Sequence, residues 1–206
     1  MPIHGKNRYT VLLMLMLSLT MICQGFFPAA FALPSQGHSA GDTSHHWAGE
    51  AIETALAAGL VSGYPDGTFR PDASITRGEF FSMIHQAYGL PADSEDMAFA
   101  DMPGSHWSAP AVSGAVNARL VSGYPDGSMR PDQFITRQEA AAVMAKVHQL
   151  QPDPAGLDRF ADAVDCASWS RGYVGAVAQA GLMKGYPDKT FLPKGLITRA
   201  EAVMVM

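Results

Sequence analysis

The chain has 206 residues and a formal charge of −5, from 19 acidic and 14 basic side chains. That balance argues against nucleic acid as a partner, because phosphate binding needs clustered Lys and Arg. The first segment reads as a secretory leader: His4, Lys6 and Arg8 form a basic start, Val11 to Cys23 an apolar run, and Ala30-Phe31-Ala32 a cleavage site. The run is shorter than the roughly 20 residues a spanning helix needs, and bulky Ile22 ahead of Cys23 disfavours lipid attachment. Cleavage after residue 32 removes Lys6 and Arg8 and no acid, so the charge of −5 becomes −7. The mature chain then keeps Cys166 alone, so no intramolecular disulfide is expected and stability must come from packing; with the leader's apolar run removed, no transmembrane segment is expected either.

Beyond the leader one pattern occurs three times. Gly63-Tyr64-Pro65-Asp66 is followed by Ile75-Thr76-Arg77-Gly78-Glu79, and Gly123-Tyr124-Pro125-Asp126 by Ile135-Thr136-Arg137-Gln138-Glu139. Gly185-Tyr186-Pro187-Asp188 precedes Ile197-Thr198-Arg199-Ala200-Glu201 in the same way. In every copy the isoleucine lies 12 positions after the glycine, and a tryptophan (Trp47, Trp107, Trp169) lies 16 positions before it. Fixed spacing means one supersecondary unit used three times. The expected repeats span 38–98, 99–157 and 158–206, with linkers at 33–41, Pro91 to Glu95 and Gln151 to Gly156.

Each unit reads as helix, loop, helix. In the first copy Trp47, Ala51, Ile52, Ala55 and Leu56 make an apolar stripe at helical period; Trp107, Ala111, Val112, Ala115 and Val116 match it in the second. The third carries Trp169, Tyr173, Val174, Val177 and Ala178. These helices should stop at Gly59, Arg119 and Gly181, and Tyr64-Pro65-Asp66-Gly67 has the chemistry of a tight turn. Where the third copy puts Lys189 for that glycine, a positive φ would strain it by about 1 kcal/mol. Thr76 with Glu79, Thr136 with Glu139 and Thr198 with Glu201 are Thr-x-x-Glu capping boxes that open the second helices. About 55 residues per unit is too few for an independent core. The units should therefore pack together as an all-α pseudo-threefold trimer with grooves between repeats.

Arg77, Arg137 and Arg199 each follow a helix cap, where a cation meets the positive end of the helix dipole. Two readings fit. The guanidinium and free helix N–H groups could hold a carboxylate or phosphate, or each arginine could pair with Asp66, Asp126, Asp188 or a capping glutamate. The tryptophans are equally open, as packing anchors or as platforms for a sugar ring. Tyr64, Tyr124 and Tyr186 read as loop packing with a hydroxyl available to a ligand. His45, His46 and His106 lack metal-ligand spacing, so no metal and no cofactor is assigned. The acid pair Glu95 and Asp96 lies in a polar linker, and no nucleophile, P-loop or metalloprotease motif points to an enzyme.

His46-Trp47-Ala48, Gly63 to Pro71 and Ile75 to Phe80 closely resemble the S-layer homology (SLH) domain. So do Phe99-Ala100-Asp101 with Trp107, Gly123 to Pro131 and Ile135 to Glu139. The third copy matches through Phe160-Ala161-Asp162, Trp169, Gly185 to Pro193 and Ile197 to Glu201. The resemblance implies a non-catalytic, exported module that anchors proteins to the cell wall or S-layer surface. Its implied ligand is a secondary cell wall polymer, often with pyruvylated N-acetylmannosamine, or a modified peptidoglycan. It implies that Arg77, Arg137 and Arg199 hold the anion and that Trp47, Trp107 and Trp169 line sugar grooves. Tyr64, Asp66, Tyr124 and Asp126 would shape those grooves. On this reading Arg137→Ala should weaken wall binding without unfolding the domain. The chain departs from the pattern in Lys189, in Leu192 where Arg70 and Arg130 stand, in Ala40, and in Met206, which stands where Ile84 does. The other expectation is that the repeats form the targeting end of a larger exoenzyme or S-layer protein.

Overall fold

Every copy folds as a short helix, a loop and a second helix, because each carries its own stop and start signals. The computed structural model describes residues 41–92 and 99–206, which belong to one unit, Gln36–Met206. The leader at 1–32, Cys23, the linker up to residue 40 and the Glu95–Asp96 pair lie outside the described residues. The first helices are α1 (Gly49–Ala57), α3 (Ala109–Asn117) and α5 (Arg171–Gln179); the second helices are α2 (Arg77–Tyr88), α4 (Arg137–Val147) and α6 (Arg199–Val205). Short 3-10 turns at Pro154–Arg159 and Ala163–Asp165 lead into α5.

The first helices stop where a residue with left-handed backbone follows: Gly59 (φ 68°), Arg119 (φ 59°) and Gly181 (φ 73°). The second helices start at capping boxes in all three copies. Thr76 Oγ1 accepts the Glu79 amide (3.2 Å), while Glu79 Oε2 accepts the Thr76 amide (2.8 Å). Ile75 ahead of the cap and Phe80 after it are both fully buried, as a hydrophobic staple requires. Ile52, Val112 and Val174 from the first helices join Phe81, Ile84 and Met144 from the second in one continuous core.

What closes the molecule is a ring of backbone bonds among the isoleucines. The Ile75 amide donates to Ile197 O (3.2 Å), Ile197 to Ile135 O (3.2 Å), and Ile135 to Ile75 O (3.1 Å). A ring of this kind exists only with three equivalent members, so it fixes the pseudo-threefold arrangement. Isolated β-bridges Ser74–Thr198, Thr76–Phe134 and Thr136–Leu196 repeat the same cyclic pattern. Outside the ring, each second helix packs on the first helix of the next repeat: α2 on α3, α4 on α5, and α6 on α1. Grooves lie along the seams of α6 with α1 and of α2 with α3.

Candidate functional site

The second-helix N-termini are not open. The amide of Arg77 donates to Gln133 O (2.8 Å) and that of Gly78 to Pro131 O (2.8 Å), both on the loop of the next repeat. Arg137 and Gln138 donate likewise to Gly195 O (2.8 Å) and Pro193 O (2.9 Å), and Arg199 and Ala200 to Ala73 O (2.9 Å) and Pro71 O (2.9 Å). The free N–H groups expected for an anion are therefore already used, which corrects that part of the sequence reading.

The arginines are built into the same seams. Arg77, Arg137 and Arg199 are 4%, 4% and 5% exposed, and each reaches into the following repeat. Their Nε atoms donate to Met129 O (3.0 Å), Phe191 O (2.8 Å) and Phe69 O (2.7 Å). Their ion pairs run in one direction around the ring: Arg77 to Glu139 (3.3 Å), Arg137 to Glu201 (2.7 Å), Arg199 to Glu79 (3.7 Å). Arg137 and Arg199 add bonds from Nη2 to Lys184 O (3.0 Å) and Ser62 O (2.9 Å). Each guanidinium also lies over the tyrosine ring of the following repeat, at 4.8 Å from Tyr124, 4.7 Å from Tyr186 and 4.7 Å from Tyr64.

The tyrosine hydroxyls are equally committed. Tyr64, Tyr124 and Tyr186 donate to Glu79, Glu139 and Glu201. One glutamate thus caps its own helix, accepts its own tyrosine and pairs with the arginine of the preceding repeat. Of the two readings of the arginines, the pairing observed is with a capping glutamate, and it is the neighbour's rather than the repeat's own. A residue so buried and so fully bonded has a structural part between repeats, so Arg137→Ala is expected to cost stability as well as binding. The expected free tyrosine hydroxyl is corrected too. Burial, and then the bond to Glu139, push the Tyr124 phenol up to about 12.

Asp66 and Asp126 do not meet these arginines. Asp66 accepts from Thr68 Oγ1 (2.6 Å) and Arg70 Nη2 (2.7 Å), and Asp126 from Ser128 Oγ (2.6 Å) and Arg130 Nη2 (2.6 Å). The hydroxyls first, then the guanidinium groups, hold both carboxyls down at about 2. Asp188 keeps its Thr190 bonds, but Leu192, which cannot pair, stands at the position of Arg70 and Arg130. The loops are fastened by other aspartates. Asp42, Asp101 and Asp162 each accept two loop amides, from Phe69 and Arg70, Met129 and Arg130, and Phe191 and Leu192. Their signal was present in Phe-Ala-Asp at 99–101 and 160–162, but nothing in sequence says what a lone aspartate binds.

The tryptophans are the most exposed aromatic residues of the expected set. Trp47, Trp107 and Trp169 are 66%, 58% and 54% exposed, so they are not packing anchors. Trp47 sits before α1 on a groove of about 580 Å³ with Glu50, Thr54, Tyr88, Val203 and Met204. Trp107 lines a groove of about 520 Å³ between α2 and α3, with Ser82, His85, Gln86 and Pro110. His46 and His106 bond to Asp72 (3.1 Å) and Asp132 (3.3 Å). Among the described residues no group of three or more His, Cys, Asp or Glu is placed to hold a metal ion, and no helix is long and apolar enough to cross a membrane. Buried Cys166 is a free thiol.

A closed ring of small helical units, with tryptophans in the grooves at two of its seams, defines a repeat-built module. Residues 41–81, 98–141 and 159–203 match the S-layer homology domain, and the chain belongs to that family. The chain is 33% identical over 179 residues to a cellulosome-anchoring protein of Acetivibrio thermocellus, an alignment covering 84% of this chain and 40% of the relative. It is 29% identical over 170 residues to exoglucanase XynX of A. thermocellus, covering 80% of this chain and 16% of that protein. An S-layer protein of Bacillus anthracis is 34% identical over 111 residues, 54% of this chain and 13% of the relative. The chain thus spans less than half the length of these relatives. Modules of this family anchor proteins to the cell surface and are not themselves catalytic.

Proposed function

We propose that this chain anchors an exported protein to the bacterial envelope by binding an anionic cell wall glycan, with a pyruvylated secondary wall polymer as the first candidate and a modified peptidoglycan as the second. The observation that carries this reading is the exposure of three equivalent indoles, of which Trp47 and Trp107 line grooves at the seams of the ring. An indole left open at a groove offers an apolar face to a sugar ring and an N–H to its oxygens. In this reading Trp47, Trp107 and Trp169 contact the glycan. Arg77, Arg137 and Arg199, with Tyr64, Tyr124 and the capping glutamates, act by holding the loops in place. Asp66 and Asp126 keep the loop tips folded.

Sedimentation of the protein with purified walls, with and without their pyruvyl groups, tests it. Binding should fall when pyruvate is removed and when all three tryptophans are replaced by alanine. Unchanged binding of a folded triple variant would overturn the assignment. A second reading, the targeting end of a larger exoenzyme or S-layer protein, is favoured by one observation: the relatives extend far beyond the aligned region. Sequencing the gene past codon 206 separates a bare module from a catalytic chain.

A further inference from the structure

The three seams are not chemically alike, and the groove between the first two repeats holds a residue that the repeat pattern does not supply. His85 on α2 lines this groove beside Trp107. The matching position in the second repeat is Ala145, fully buried. His85 is half-buried, and its Nδ1 is the one buried side-chain polar atom without a hydrogen-bond partner among the described residues. Nδ1 faces α3 at Gly114, where an added Cβ would stand 3.4 Å from it and 2.7 Å from Pro91 O.

This seam is therefore closed around one ring edge. A hydrogen on Nδ1 would find no acceptor there, which points to the tautomer that carries its hydrogen on Nε2. The Nε2 edge is the part of the ring left to line the groove. The neighbouring polar groups already have partners: Ser82 Oγ donates to Gly78 O (2.9 Å), and the Gln86 amide donates to Gly59 O. The seam between the second and third repeats is different. Lys146 stands where Gln86 does, donates to Leu120 O (3.1 Å) and lies 5.7 Å from the Tyr173 ring.

We propose that His85 is a specificity-determining residue of the groove between the first and second repeats. It presents Nε2–H to an uncharged oxygen, a hydroxyl or an acetamido carbonyl, of a sugar seated on Trp107. The inference rests on the glycan-binding reading above and adds which groove takes a neutral sugar face and through which atom.

The test uses the full chain with 15N-labelled histidine and, as probe, the methyl glycoside of N-acetylmannosamine without pyruvate. Long-range proton–nitrogen spectra of the free protein should show the Nε2–H tautomer at His85; an Nδ1–H tautomer overturns the proposal. On titration, His85 Nε2 and the Trp107 indole N–H should shift together with one affinity. His85→Ala should weaken that affinity about five- to tenfold, as loss of one hydrogen bond does. His85→Gln, which keeps a donor, should restore part of it, and Lys146→Ala should leave it unchanged. A Trp107 shift with His85 silent, or equal affinity in His85→Ala, overturns the role of His85 while sparing the glycan reading. Silence at all three tryptophans with this sugar and with its pyruvylated form overturns the glycan reading, and this inference with it.

Discussion

The second and third repeats carry the same motifs yet hold their neighbours differently. Arg137, passing from the second repeat into the third, meets Glu201 at 2.7 Å; Arg199, passing from the third into the first, meets Glu79 only at 3.7 Å. The loops differ in the same sense. Gly127 (φ 79°) gives way to Lys189 (φ 64°), and Arg130 (φ 55°), which pairs with Asp126, gives way to Leu192 (φ 54°). The left-handed backbone is kept although the residue that suits it is lost, because the loop amides' bonds to Asp162 and the closing ring over-determine the loop. A motif repeated in sequence is thus a template whose energetic value depends on what the next repeat presents to it.

The sharpest way to break this comparison is to remove the arginines one at a time. Arg137→Ala should cost about 3–5 kcal/mol, since it leaves Glu201 half of a broken, largely buried pair. Arg199→Ala should cost measurably less in the same urea titration, because its pair is longer. Equal losses would show that the backbone-carbonyl bonds, common to both, carry the energy. Next in size is binding: Trp107→Ala should weaken wall association about tenfold, ~1.4 kcal/mol. Its melting temperature should hold nearly steady, since an exposed side chain contributes within about 0.5 kcal/mol.

Smaller still is the loop strain. Lys189→Gly should stabilise the protein by about 1 kcal/mol, and Gly127→Lys should destabilise it by a similar amount. A null result at Lys189 would mean its neighbours already relieve the strain.

The pH limbs give the finest distinction. Asp66 and Asp126 lie at about 2 in the fold against an ordinary 3.8, so their contribution is present above about pH 4 and lost as pH falls toward 2. Asp126→Asn should flatten that acid limb more than Asp188→Asn does, since Asp188 has no arginine. At the other end, Tyr124 rises from 10.0 to about 12, so its contribution is complete below pH 10 and fades as pH climbs toward 12. Tyr124→Phe should flatten the alkaline limb of a denaturation series.

Much of the architecture was legible in the residues. Capping boxes, stop residues and the turn chemistry are local devices, decided within four or five positions, so Thr76, Gly59 and Lys189 behave as their neighbours dictate. The fixed spacing of the three copies also implied a cyclic assembly, because one helix pair cannot bury its own apolar face. The site was only half legible. Arginine after a helix cap reads as an anion ligand when the helix end is assumed open, and sequence cannot show that Gln133, Gly195 and Ala73 will close it. Tryptophan could be anchor or platform, and only burial separates the two.

Sequence alone determined the unit, its family and its threefold repetition, since these rest on short-range dihedral and capping preferences. The tertiary structure alone decided the direction in which each arginine reaches, the sharing of one glutamate among three groups, and the orphaned nitrogen of His85. Each of these depends on a contact between repeats, Arg137 with Glu201 or His85 against Gly114, set by how the ring closes rather than by any local rule.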